Sequence, residues 1–156
     1  MKKIIAIAFA LVSMCMCMVA QNRAASLNSR GDNIIGTYKA VQNGAETKVS
    51  ITKASDGTYT AQVIWVKEDK NKDGSKKLDD KNPDKSLRKV PCDQIVLMKG
   101  LKYDSSKKQW GDTKIYDPTR GLRANAKVQF QDDGRLTVKG VVLGISETVY
   151  WEKIEK

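Results

Sequence analysis

Closely spaced tight-turn signals limit what this chain can become. Asn43-Gly44, Asp56-Gly57 and Asp133-Gly134 are pairs whose residues tolerate the positive φ of a type I′ hairpin turn. Between the first two, Thr47, Val49 and Ile51 alternate with Lys48, Ser50 and Thr52, the period of a half-buried strand. Ile35 to Val41 reads as a short strand before them. After Asp56-Gly57, Tyr59, Ala61, Val63 and Trp65 share one face of a third strand, and Ile64 and Val66 make its other face partly apolar. Three strands joined by tight turns make a meander.

Lys67 to Pro91 breaks this rhythm as a long excursion rich in Lys, Asp, Asn and Gly. Strands resume at Ile95 to Tyr103, broken at Gly100, then at Trp110 to Tyr116 and at Ala124 to Gln131, where Ala126, Val128 and Phe130 face inward. Leu136, Val138, Gly140 and Val142 continue the pattern, and Ile145 to Ile154 closes it with Ile145, Val149 and Trp151 on one side. No stretch has helical periodicity. About eight strands at this spacing predict an all-β, antiparallel, up-and-down barrel, with a long loop between the third and fourth strands. Such a barrel either fills its interior or holds one small ligand. In IYDPTRG (115–121), Asp117 suits an Asx-turn, Pro118 presets φ and Gly121 takes a left-handed position. The spacing predicts a hairpin loop over Pro118 to Gly121.

The first residues read differently. Lys2 and Lys3 precede the apolar run Ile4 to Val12, which continues with Met and Cys to Ala20 before Gln21, Asn22 and Arg23. That is the pattern of a secretory signal peptide, with cleavage expected after Ala20 or near Ala25. The protein is then exported, periplasmic or secreted. An uncleaved anchor would need about 20 apolar residues, and lipidation of Cys15 or Cys17 is disfavoured by Met14 and Met16 before them. Residues 21–33 read as a flexible leader and residues 34–156 as one domain, within a chain of 156 residues. Signal removal leaves no stable membrane span and a single cysteine, Cys92, which reads as a small packed side chain rather than a nucleophile. It also leaves 26 Lys and Arg against 18 Asp and Glu, a net +8. The lysines are scattered among acids without interleaved aromatics. That argues against nucleic acid and for solvated cations with weak affinity for anionic envelope surfaces.

The chain has no His. This excludes Ser-His-Asp triads, Cys-His pairs and His-based zinc sites. No glycine-rich phosphate loop follows a strand. Asp69-x-Asn71-x-Asp73-Gly74, with Asp80 twelfth, matches the oxygen-ligand spacing of a calcium loop. The preceding element is a strand, and Lys70, Lys72, Lys76 and Lys77 weaken the field, so a solvated turn stays the competing reading and no cofactor is required. Asp84, Arg88, Lys102, Tyr116 and Asp117 could bind a polar ligand group at one barrel mouth, with Trp65 stacking on the ligand. Alternatively, Asp84 and Arg88 pair only to hold the long loop.

LDDKNPDKSLRKVP (78–91) resembles the D-x-N-P-D…L-R segment of a bacterial envelope family, domain of unknown function 2147. GLKYD (100–104), IYDPTRG (115–121), LTVKG (136–140) and Trp151 follow in that family's order, and Gly36-Thr37-Tyr38 and Val63-Ile64-Trp65 fit its first half. Gly121-Leu122-Arg123-Ala124 departs from the family's G-K-x-Y, and Trp151-Glu152-Lys153 from its W-x-R. The resemblance implies a secreted or periplasmic lipocalin-like barrel and no particular activity. In lipocalins an aromatic of the first strand closes one barrel end under a basic residue. Tyr38 with Lys153 or Arg123 fits that part, and ordinary core packing of Tyr38 and Trp151 fits as well. The expected function is non-catalytic binding of a small apolar or amphipathic ligand in the envelope. The alternatives are an envelope interaction protein using residues 67–91, and a carboxylate-based hydrolase.

Overall fold

The computed structural model of the chain describes residues 23–42 and 44–154; the expected signal peptide lies outside them. Nine strands form among the described residues: β1 (Gly36–Gln42), β2 (Ala45–Lys53), β3 (Tyr59–Val66), β4 (Val96–Asp104), β5 (Gln109–Gly111), β6 (Lys114–Asp117), β7 (Leu122–Phe130), β8 (Leu136–Val142) and β9 (Ile145–Lys153). Every pairing is antiparallel, in the order β5-β4-β3-β2-β1-β9-β8-β7-β6, and a β5–β7 pairing at Trp110↔Val128 closes the ring. The fold is therefore the expected closed eight-strand barrel with one strand extra. The excess arises because the strand read over Trp110 to Tyr116 breaks in two at Asp112, whose φ is 59°. β5 pairs with β4, while β6 pairs with β7.

Inward positions of the strands supply the core. Trp110 is fully buried; its ring lies 5.1 Å from Tyr103 and 5.8 Å, edge-on, from Phe130. Tyr38, Val49, Ile51, Leu101, Leu136, Val138 and Trp151 pack in the same cluster. A register shift between Lys48 and Val49 pairs Val49 with Val63 but Lys48 with Trp65. The extra residue, Ile64, swaps the faces of the strand end, as a β-bulge does. Trp65 is turned outward, 37% exposed, while Val66 packs on the core. The reading that aligned Trp65 with Tyr59 and Val63 is corrected by this bulge.

The flexible leader expected over 21–33 is also corrected from Arg23 onward. Residues 23–27 form a helical turn, and Gly31–Ile34 a 3-10 turn. Asn28 is buried because its side chain pairs with the Phe130 backbone in both directions, at 2.9 and 2.8 Å. Tyr103 donates to the Asn28 carbonyl, Trp110 Nε1 to the Gly31 carbonyl and Tyr59 to Asp32. Ile34 is fully buried. These residues plug one end of the barrel. Beside the plug, Lys153 Nζ lies 5.8 Å from the centre of the Tyr38 ring and donates to the Asn33 carbonyl, while Tyr38 donates to the Ile34 carbonyl. Tyr38 is thus both a buried core residue and the ring beneath a cation.

Candidate functional site

The opposite end is the open one. It is rimmed by the turns β1–β2, β6–β7 and β8–β9 and by the start of the long excursion. The first part of that excursion is a small hairpin. Lys70 faces Lys76, and Asn71 N donates to the Ser75 carbonyl and Lys77 N to that of Asp69. Asp73 accepts from both the backbone and hydroxyl of Ser75, Asn71 donates to the Ser75 hydroxyl, and Asp69 lies 3.5 Å from Lys76. The side chains at the calcium spacing are therefore engaged separately, and Asp80 lies beyond the hairpin. Among the described residues no group of three or more His, Cys, Asp or Glu is placed to hold a metal ion. Calcium is expected to leave the melting temperature unchanged against a chelator control. A rise of several degrees would show that the hairpin rearranges around the ion.

The second part, residues 78–91, is a strap docked on the barrel. Tyr116 shows how. Its cross-strand partner is Arg123, and Ile115 faces Ala124. Since Ala126, Val128 and Phe130 point inward, Tyr116 points outward, yet it is only 1% exposed. The strap covers it. Tyr116 donates to Asp79 Oδ1 at 2.6 Å, and Asn82 Nδ2 donates to Asp79 Oδ2 at 2.6 Å. Asp79 and Asn82 are 3% and 2% exposed. Asn82 Oδ1 accepts from Asp84 N, Arg88 Nε donates to the Asn82 carbonyl, and Lys81 Nζ donates to that of Thr119. Gly121 has φ 67°, and a Cβ there would meet the Lys81 carbonyl oxygen at 2.3 Å. Its lack of a side chain therefore serves the strap as well as the turn. Burial, then the bond to Asp79, raises the Tyr116 pKa above its ordinary value. Burial, then Asp79 and Asp80, pushes the Cys92 thiol up, which keeps it protonated and unreactive.

The third part is the mouth. Asp117 accepts from Thr119 and from Arg120 Nε at 2.6 Å, as the Asx-turn reading requires. Burial opposes ionisation of Asp117, but the bonds from Thr119 and Arg120 outweigh it and hold its pKa below the usual value. The same guanidinium reaches across to Glu147 on β9, and Glu147 accepts from Gln42 on β1. Gln42, Glu147, Arg120 and Asp117 thus form a polar chain over the mouth. β1 and β9 are joined by only three residue pairs, ending at Ala40↔Trp151. Beyond that pair the strands part. An open cleft of about 470 Å³ runs along the outer wall over β1 and β9, lined by Lys39, Val41, Arg135, Thr148, Tyr150 and Glu152 and reaching Gln42, Glu147 and Val149 where the strands separate.

The residues expected to converge on a ligand do not do so. Trp65 lies on the outer wall with Lys48 Nζ 5.1 Å from its ring centre. Lys102 pairs with Asp112 at 2.8 Å on an exposed edge. Asp84 caps the 3-10 turn Lys85–Leu87 by accepting from Ser86. Arg88 holds the Asn82 carbonyl, so Asp84 and Arg88 both fasten the strap but do not pair with each other. Tyr116 is sealed beneath the strap. Asp117 alone belongs to the mouth. Glu147, Arg120 and Gln42 were missed, although Glu147 shares the inward phase of Val149 and Trp151. An acid in that phase is the signal that would have found it.

Comparison with known proteins bears on this architecture. No curated protein matches the chain. Among solved structures, the barrel is similar to one described as "Protein HP1028 from the human pathogen Helicobacter pylori belongs to the lipocalin family". The two share 22% identity over 78% of this chain and 83% of that one, with a TM-score of 0.61. At that identity the likeness shows the fold, which is lipocalin-like. The model of the family described as "Uncharacterized protein conserved in bacteria (DUF2147)" matches residues 36–153, from the first strand of the barrel to the last, and the chain belongs to that family.

Proposed function

We propose that this protein binds one small amphipathic molecule in the cleft along β1 and β9, outside the cytoplasm, without catalysing a reaction on it. The observation that carries this reading is the cleft over β1 and β9, which deepens where the two strands part. Its volume, about 470 Å³, falls within the range of small-molecule sites. Val41, Val149 and the Tyr150 ring offer apolar contact, while Gln42, Glu147 and Arg135 offer hydrogen bonds and charge. Trp151 packs at the base of the opening, opposite Ala40. Against catalysis, the mouth carboxylates share a guanidinium, and a general acid needs a carboxyl held protonated instead. Export rests on the pattern of Lys2 to Ala20. The alternative, an interaction surface on residues 67–91, has less to support it, because Asp79 and Lys81 are engaged by Tyr116 and the Thr119 carbonyl and Asp84 and Arg88 by the strap itself.

Native mass spectrometry of protein purified without detergent is expected to show a bound lipid-sized molecule. Titration with a medium-chain fatty acid or a lysophospholipid is expected to shift tryptophan emission. Val41→Asp and Tyr150→Ala alter half-exposed cleft residues and are expected to weaken binding about tenfold, or about 1.4 kcal/mol, with unchanged melting temperature. A ligand-free protein whose emission responds to neither class would overturn the reading.

A further inference from the structure

The β8–β9 hairpin carries two costs at its tip that nothing within the described chain offsets. Leu143 is 97% exposed. It also sits at φ 48°, followed by Gly144 at 81°. A left-handed conformation costs a leucine on the order of 1 kcal/mol or more, whereas Asn or Gly takes that turn position readily. Ile145 is 77% exposed beside it, and Leu122 on β7 57%. The tip is an exposed apolar group standing clear of the barrel.

The outer wall beneath the tip carries a third cost. Cross-strand register sets Lys127 of β7 directly opposite Lys139 of β8. Like charges so placed destabilise a sheet. Lys114 and Arg123 share this outward face, since Lys114 pairs with Asn125 and Tyr116 with Arg123. No Asp or Glu occupies an outward position of β7 or β8, although the strap's Asp79 and Asp84 lie over the β6 side beside Arg123, which stacks 5.1 Å from the Tyr116 ring. None of the four cations makes a salt bridge among the described residues. A cationic wall ending in an apolar tip is the chemistry of a surface that meets phosphates first and hydrocarbon behind them. Nucleic acid fits less well, because Tyr116 is covered and Tyr150, the exposed aromatic beside this face, already lies under Arg135, 4.6 Å from its ring centre.

We propose that the β7–β8 wall and the β8–β9 tip dock onto an anionic phospholipid bilayer, with Lys127 and Lys139 at the phosphates and Leu143 and Ile145 in the headgroup–acyl boundary. No helix among the described residues is long and apolar enough to cross a membrane, so this contact is peripheral. It stands whether or not the cleft holds a ligand.

The test is co-sedimentation of the protein with vesicles of phosphatidylcholine alone and of phosphatidylcholine mixed with phosphatidylglycerol. Binding is expected only to the mixed vesicles and is expected to fall with salt. Lys127→Gln combined with Lys139→Gln should weaken partitioning about tenfold or more while relieving a repulsion. Leu143→Asn should weaken it severalfold with a melting temperature no lower than that of the original protein, because Asn suits the turn. Misfolding is thereby separated from lost docking. Equal partitioning to both vesicle types, no partitioning, or unchanged partitioning of these variants would overturn the proposal. So would a concentration-dependent dimer in sedimentation velocity, lost in Leu143→Asn, from a protein that leaves vesicles unbound: the tip would then serve self-association. A lysine-dependent affinity for single-stranded oligonucleotide without vesicle binding would reassign the wall to nucleic acid.

Discussion

Trp110→Ala is expected to lower the unfolding free energy by about 3–5 kcal/mol, the usual range for removing a buried large aromatic. The position concentrates several functions. Trp110 sits opposite Val128 in the β5–β7 pairing that closes the barrel. Its ring packs against Tyr103 and Phe130, and its Nε1 donates to the Gly31 carbonyl at 3.0 Å. Loss of the ring therefore opens a cavity and loosens the plug formed by residues 23–34. At roughly 3 °C per kcal/mol for a chain of this size, the melting temperature should fall by about 10–15 °C. Trp110→Phe keeps most of the packing and leaves the Gly31 carbonyl without its donor, so a loss of about 1–3 kcal/mol is expected. Thermal and urea unfolding measure both. A Trp110→Ala loss below about 1 kcal/mol, far outside the range for a core aromatic, would mean that the plug and the closure do not depend on this residue.

Asp79→Ala is expected to cost about 2–5 kcal/mol, because two buried donors, Tyr116 O–H and Asn82 Nδ2, lose their acceptor together. Tyr116→Phe removes one donor and should cost about 1–3 kcal/mol. The double variant should cost less than the sum, since the two side chains share one bond. Strap release has its own readout, faster tryptic cleavage at Lys81, Lys85, Arg88 or Lys89. Additive losses with unchanged cleavage would show that the strap is held elsewhere. The same cluster sets an alkaline limit. Burial raises the pKa of Tyr38, Tyr59 and Tyr116, with bonds to Asp32 and Asp79 adding to it in the latter two. Above about pH 10 the unfolded chain ionises these phenols while the folded chain keeps their protons. Stability is thus fully present below that pH and declines above it, by about 1.4 kcal/mol per pH unit for each proton retained. Tyr116→Phe should make that decline shallower by one such step.

Legibility in the sequence followed the range of each interaction. Thr47, Val49 and Ile51 between two turn pairs announced a hairpin because side-chain alternation is local. Asp117 announced its own turn because an Asx-turn spans two residues. Trp65 was misplaced because a bulge arises from pairing with β2 and leaves no mark in β3 itself. Asp79 and Asp80 are adjacent acids in an irregular segment, and only the approach of Tyr116, 37 residues further on, decides that Asp79 is the buried one. Asn28 read as leader because its partner, the Phe130 backbone, lies 102 residues away.

The sequence by itself determined the barrel class, the strand count to within one, the long excursion and the absence of histidine chemistry. Each follows from periodicity, turn residues or composition, which are properties of neighbours in the chain. Tertiary structure alone decided which end is plugged, where the strap lies and how the mouth is built. Gln42, Arg120 and Glu147 come from three turns or strands that meet only when the barrel closes. The cleft opens toward the mouth because β1 and β9, the first and last strands of the barrel in chain order, pair over three residues and then separate. No local pattern encodes the length of that final pairing, since it depends on the geometry accumulated around the whole ring.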